Sequence, residues 1–184
     1  PHQKIIVTNS QKARLAVDER YQERQAQCQE ALHDLQTVIA IQNLSELTAD
    51  VFEQVQEMIR RPVCLRRARH AVTENQRTIQ AVDALNKGDI REFGQLMNAS
   101  HLSLKEDFEV SCEELDILVE EAWEIEGVLG SRMMGAGFGG CTISIVENDA
   151  VNEFVSRVGS HYKERTGRTA EFYIMETGNG ASEV

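Results

Sequence analysis

Proline is nearly missing from this chain: the only two are Pro1 and Pro62, and neither lies in a stretch rich in glycine and serine. With no long Pro/Gly linker, low-complexity tract or internal repeat, nothing argues for a second domain, and 184 residues suffice for one domain with a proper core. Long hydrophobic runs are missing as well. None approaches a membrane span, and no apolar N-terminal segment with a basic flank marks secretion. Basic residues are the minority, 19 Lys and Arg against 30 Asp and Glu, for a formal charge of -11. That field repels polyanions, so nucleic-acid binding would need a strong local basic patch. Arg60, Arg61, Arg66, Arg67 and Arg69 do cluster, but among acidic neighbours on a helical pattern and without interleaved aromatics, which reads as a solvated or ion-paired face. Neither nucleic acid nor membrane is expected as a partner. Cys28, Cys64, Cys112 and Cys141 form no C-x-x-C pair and no histidine sits at zinc-finger spacing, so reduced thiols in a cytoplasmic protein and no metal ligands are expected.

The patterns that are present describe one α+β unit. Lys4 to Thr8 is a short apolar strand. Asp18 caps a helix to about Leu35 with Val17, Tyr21, Cys28, Leu32 and Leu35 inward. After a loop from Ile39 to Leu47, Asp50 begins a short helix ending near Arg60, and Pro62 fits the first turn of the next. That helix, about Val63 to Asn86, carries Leu65, Ala68, Val72, Ile79 and Val82 on one stripe. Gly88-Asp89 ends it and caps a further helix to about Lys105, with Ile90, Phe93, Met97, His101 and Leu104 inward. Ser111-x-x-Glu114 reads as a capping box for a helix to about Glu124. A strand to Met134, a strand Cys141 to Val146, a helix of about Asp149 to Lys163 and a strand Ala170 to Glu176 follow, with residues 178–181 as a frayed tail. The order β, helical insert, β, β, α, β matches the split βαβ plan: a ferredoxin-like, four-stranded, mostly antiparallel sheet with helices on one face.

Between two of those strands lies Gly130-Ser131-Arg132-Met133-Met134-Gly135-Ala136-Gly137-Phe138-Gly139-Gly140-Cys141. Four glycines in six positions imply a loop needing positive φ or very close backbone approach. Gly135-x-Gly137-x-x-Gly140 satisfies the dinucleotide fingerprint literally, but that fingerprint must open a helix, and Cys141-Thr142-Ile143-Ser144-Ile145-Val146 reads as a strand. A Walker loop fails for want of Gly-Lys-Ser/Thr. Two readings stay open: amides forming an anion-binding concavity, or a hairpin with a glycine-rich turn.

This loop resembles the C-terminal signature of the galactokinases within the GHMP small-molecule kinase superfamily. Arg66-Arg67-Ala68-Arg69-His70-x-Val72-x-Glu74-Asn75-x-Arg77-Thr78, Phe93-Gly94-x-Leu96-Met97-x-x-Ser100-His101-x-Ser103-Leu104 and Asp107-x-Glu109-Val110-Ser111-Cys112-x-Glu114-Leu115-Asp116 resemble the same family in the same order. So does the opening, Thr8-Asn9-Ser10 followed by Tyr21-x-x-Arg24.

The resemblance implies a GHMP kinase C-terminal domain over residues 1–184 and transfer of the ATP γ-phosphate to the anomeric hydroxyl of galactose, with magnesium. The partner would be the N-terminal half of the same protein, with its Pro/Gly/Ser-rich phosphate loop, most sugar contacts and the aspartate base. None of these is in this chain, which begins at Pro1 and reads as a piece of a longer one. Alone it is expected to be inactive, with no catalytic residue of its own, and to expose an apolar patch through which it self-associates. Gly135, Ala136, Gly137, Phe138, Gly139 and Gly140 resemble the loop that closes one wall of the nucleotide site. Arg132 is open to a phosphate contact or a structural ion pair. Tyr21 matches a tyrosine that reaches the sugar, with core packing as the other reading. His101, Ser100 and Ser103 resemble a segment near the cleft, though a lone histidine on an apolar stripe is usually a core residue. Asn9-Ser10 departs from the family pattern in the residues after it, Gln11-Lys12. Glu74, Asn75 and Asp107 read as residues that satisfy buried backbone groups. The alternatives are another GHMP kinase, such as a mevalonate-type enzyme, and a non-catalytic sugar or nucleotide sensor.

Overall fold

The computed structural model describes residues 2–13, 17–176 and 178, and the chain divides into two compact units, Pro1–Arg14 with Ser111–Val184, and Leu15–Val110. In chain order the elements are β1 (Gln3–Asn9), α1 (Val17–Leu35), α2 (Ala49–Val55), α3 (Pro62–Lys87), α4 (Ile90–Glu106), α5 (Glu113–Trp123), β2 (Val128–Met133), β3 (Cys141–Glu147), α6 (Val151–Thr166) and β4 (Glu171–Met175). Short 3-10 turns stand at Leu44–Glu46, Gln56–Met58 and Asn148–Ala150. Residues 179–181, read above as a tail, lie outside the described residues.

The first unit is a four-stranded sheet in the order β2-β3-β1-β4, with every pairing antiparallel. This is the split βαβ arrangement, with α1 to α4 inserted between β1 and the crossover helix α5. Strand alternation sends Ile6 and Thr8 of β1 and Thr142, Ser144 and Val146 of β3 to the buried face. There Ile6 and Val146 join Ile117, Leu118 and Ala122 of α5 and Phe154, Val158 and Tyr162 of α6 in one core. Ser131 and Ser144, paired in register, satisfy each other across β2 and β3 with oxygens 2.8 Å apart. The other face carries Ile5, Val7, Ile143 and Ile145, half-buried, while Tyr173 and Met175 of the edge strand β4 are exposed.

The capping box expected at Ser111 does not form. Cys112 is the N-cap of α5 without a side-chain cap bond, and the Ser111 hydroxyl instead donates to the Asp116 carboxylate at 2.5 Å. Glu114 is thereby left to act elsewhere in the unit.

The second unit packs α1, α2 and α3 around Ala31, Leu35, Leu44, Leu47, Phe52, Ile59, Cys64, Ala68 and Val72. Its helix ends follow local chemistry. Thr48 Oγ1 accepts from the Val51 amide to cap α2, and Pro62 occupies the first turn of α3, where its missing N–H is no loss. Gly88 ends α3 at φ 71°, and Asp89 caps α4 by accepting from the Glu92 amide at 2.9 Å. Asp18 lies in the first turn of α1 instead of capping it.

Two inward stripes differ from the sequence pattern. On α1 the buried positions are Arg24, Gln27, Ala31, Leu32, Asp34 and Leu35, while Tyr21 is 48% exposed. On α3, Ile79 and Val82 are 64% and 54% exposed, because Ala84 is the only buried residue between 78 and 87. Helical spacing was kept in both cases; what the pattern could not supply is that two arginines take the interior.

Arg67 is 1% exposed. Its Nε donates to Gln27 Oε1 at 2.8 Å, and its two terminal nitrogens hold the Asp107 carbonyl and the Glu109 carboxylate. Arg24 donates to the carbonyls of Phe108 at 2.7 Å and Glu109 at 3.1 Å. Together they fix the turn after α4, where Glu109 has the left-handed φ of 53° that non-glycine residues avoid. The Asp107 carboxylate takes a side-chain partner and not the expected backbone one, accepting from the Ser103 hydroxyl at 3.2 Å. Asn75 donates to the Ser45 carbonyl at 3.0 Å, and Glu74 accepts from Ser100 at 2.5 Å. The other clustered arginines are ion-paired: Arg60 with Asp34, Arg61 with Glu30, Arg66 with Glu109 and Arg69 with Asp107.

Replacing Arg67 by Met strands the carbonyl of Asp107 and the Gln27 amide oxygen, so urea denaturation should show a loss of about 3 kcal/mol. The hydrogen bond from Arg67, opposed by partial burial and aided by Arg66, holds the Glu109 carboxyl below its ordinary value of 4.5. A carboxylate so depressed stabilises the fold above its unfolded pKa and loses that contribution as the pH falls through the folded one. The Tm gap between the native chain and Glu109→Gln should therefore be widest near neutral pH and close below pH 4.5.

Candidate active site

The glycine loop joins β2 directly to β3 as a strand–loop–strand element, with no helix after it. Its main chain occupies the left-handed half of φ space almost throughout: Gly135 at 75°, Gly137 at 81°, Phe138 at 58°, Gly139 at 131° and Gly140 at 87°. Phe138, the one non-glycine among these, is held there by burial, at 6% exposed. Gly137 and Gly139 are buried, Ala136 and Gly140 are half-buried, and Gly135 is exposed. Met134 donates its amide to the Cys141 carbonyl at 3.0 Å and closes the base of the loop.

Close approach, and not φ alone, dictates Gly139. A Cβ there would stand 2.8 Å from the main-chain oxygen of Lys12 and 3.0 Å from its Cγ. The loop therefore lies against the turn that follows β1, and the Ser10 amide donates to the Gly140 carbonyl at 2.9 Å. That turn is itself an Asx turn, with Asn9 Oδ1 accepting from the Gln11 amide at 3.0 Å. Asn9 is thus occupied in shaping the backbone. Lys12 reaches Glu114 of α5 at 2.7 Å. Burial opposes ionisation of Glu114, yet the bonds from Lys12 and the local backbone outweigh it and keep the carboxyl below its usual range.

Arg132 sits on β2 opposite Ile143, and its Nε donates to the Met133 carbonyl at 3.0 Å, a structural bond beside whatever else the guanidinium holds. In the helical unit, Tyr21 meets the edge of Phe108 with ring centroids 6.3 Å apart, and the Phe108 ring stacks on His70 at 4.5 Å. Packing thus engages one side of the Tyr21 ring while the side chain stays half exposed. His101 is 1% exposed on the inner stripe of α4, and His70 Nδ1 lies 2.9 Å from Ser103 Oγ. The glycine loop and Arg132 thus form one stretch of the sheet unit, and Tyr21 belongs to the helical unit. Sequence spacing does not reveal Lys12 as the neighbour of the loop, because nothing in it shows which turn lies beneath a glycine.

A ferredoxin-like sheet whose β2–β3 connection is this glycine loop defines a class. The family described as GHMP kinases C terminal matches residues 81–164 of this chain. Within that class its likeness is to galactokinases. It is 50% identical over 180 residues to the galactokinase of Levilactobacillus brevis and 52% identical over 181 residues to that of Fusobacterium nucleatum, covering 98% of this chain and 46% of each relative. The crystal structure of Lactococcus lactis galactokinase complexed with galactose superposes with a TM-score of 0.94 at 43% identity, over 100% of this chain and 47% of that one. L. major mevalonate kinase shares the fold, with a TM-score of 0.63 at 20% identity over 97% of this chain and 44% of that one. The chain spans about half the length of the curated relatives it matches.

Placing Ala at position 139 forces either the loop or the Lys12 turn to move, and Gly139→Ala should destabilise the chain by about 2 kcal/mol in urea denaturation. Ala at Gly88, where a Cβ meets nothing within 4 Å, is the control and should lose less.

Proposed function

We propose that residues 1–184 act as one domain of an ATP-dependent sugar kinase that transfers the γ-phosphoryl group of ATP to the anomeric hydroxyl of galactose. The hydroxyl attacks the γ-phosphorus, its proton passes to a base, and ADP leaves. The observation that carries this reading is sequence identity of 50% to a galactokinase across 98% of the chain. The galactose in the Lactococcus lactis relative supports the sugar.

In this reading residues 135–140 form one wall of the nucleotide site through their main chain, and Arg132 at the loop's base is a candidate for phosphate. Phosphoryl transfer is mostly positioning and charge stabilisation, so a wall of fixed shape is a sufficient task for residues without charge. Tyr21 offers the sugar an apolar ring and a hydroxyl. In this reading magnesium is held with the ATP phosphates, and its protein ligands are assigned to polypeptide beyond this chain. The base and the phosphate loop are assigned there too, and the isolated chain does not turn over.

Cytoplasmic residence is supported by the four free thiols, Cys28, Cys64, Cys112 and Cys141, and no described helix is long and apolar enough to cross a membrane. In isolation the chain self-associates, a reading supported by Tyr173, Ile174 and Met175, all exposed on the edge strand β4.

Mixed with ATP and galactose, the 184-residue chain should release no ADP, whereas a galactokinase-length protein carrying it should. In that longer protein Gly137→Val should abolish kcat, and Tyr21→Phe should raise the galactose KM roughly tenfold through one lost hydrogen bond. Turnover by the chain alone, or normal kinetics in both variants, would count against the proposal.

A further inference from the structure

The turn after β1, on which the glycine loop rests, is held from behind by groups that the proposed reaction does not use. Tyr162, on the last turns of α6, is fully buried, and its hydroxyl donates to the Ser10 carbonyl at 2.6 Å. The amide of the same Ser10 donates to the Gly140 carbonyl. One peptide residue therefore connects the phenol on one side to the end of the glycine loop on the other. Arg168, just past α6, adds a bond from Nη1 to the Gln11 carbonyl at 3.3 Å and stands 3.8 Å from Glu114, which also holds Lys12. Gln11 adopts φ 56°, a conformation that a free glutamine leaves readily.

We propose that Tyr162 is a positioning residue for the glycine loop: through Ser10 it fixes the turn whose Lys12 backbone sets how far the loop can settle. The inference rests on the reading of that loop as a wall of the nucleotide site. Its physical content is that the loop has one buried side chain, Phe138, and otherwise only glycine and alanine to hold its shape. Four glycines lower the barrier to alternative backbones, so the order of residues 137–140 must be supplied by what they touch. They touch the turn, and the turn's Ser10 and Gln11 carbonyls accept from Tyr162 and Arg168. Burial pushes the Tyr162 phenol upward in pKa, which keeps it a hydrogen-bond donor across the range where the fold is stable.

Tyr162→Phe removes only the hydroxyl and leaves the ring in the core. Hydrogen–deuterium exchange on the 184-residue chain should show the amides of Gln11, Lys12 and residues 137–140 exchanging about tenfold faster, with α5 and the centres of β1 and β3 within about twofold of the unaltered chain. In a galactokinase-length protein the same change should lower kcat about tenfold while the galactose KM stays within about twofold, since the sugar contact of Tyr21 is untouched. Loop exchange that stays unchanged, or that rises uniformly across the sheet unit with a lowered Tm and a normal kcat, overturns the proposal. Faster loop exchange in a chain whose unaltered longer form shows no kinase activity upholds Tyr162 as the loop's anchor and rejects the kinase reading instead.

Discussion

The glycine loop depends first on the approach of the Gly139 backbone to the main-chain oxygen of Lys12, which leaves no room for a side chain between them. Several other features are consequences of it. The loop must reverse direction between β2 and β3 while its main chain hugs a neighbouring turn, so it uses left-handed conformations at Gly135, Gly137, Phe138, Gly139 and Gly140. The turn in its own right must be stiff, and it draws its stiffness from an Asx bond at Asn9, an ion pair from Lys12 to Glu114 and a hydrogen bond from Tyr162. Because β1 lies between β3 and β4 in the sheet, the end of β1 is the place where a loop from one neighbour and a helix leading to the other can meet.

The helical unit solves the same kind of problem with charge. A turn with a strained Glu109 is fixed there by two buried or nearly buried arginines that donate to three consecutive residues. Arginine suits this task because its planar fork can serve a carbonyl and a carboxylate at once without losing its charge. The acidic balance of the chain therefore does not describe its interior, where guanidinium groups stand at positions that helical spacing reserves for apolar residues.

Much of the architecture is written in local sequence. The strands to within a residue at each stated end, the cap at Asp89, the stop at Gly88 and the inward His101 follow from local rules, because each depends on residues within a turn of one another. The glycine loop was legible as a loop between strands for the same reason. Ser111 was misread because a second carboxylate, Asp116, competes for its hydroxyl two residues beyond the expected partner. Tyr21, Ile79 and Val82 were placed inward by a period that says which residues share a face, but not how far along the helix that face remains covered. The support of the turn beneath the loop is illegible in sequence because Tyr162 and Ser10 are separated by 152 positions and meet only through the sheet order.

The central claim is that residues 135–140 form a wall against which a nucleotide is held. Amide NMR of a galactokinase-length protein carrying this chain, titrated with a non-hydrolysable ATP analogue, tests it most directly. The account predicts saturable shifts at the amides of Gly135 to Gly140, with little change at Gly88 and Gly167, the glycines that end α3 and α6. Saturable binding elsewhere in the protein, with the loop amides unmoved, would contradict it.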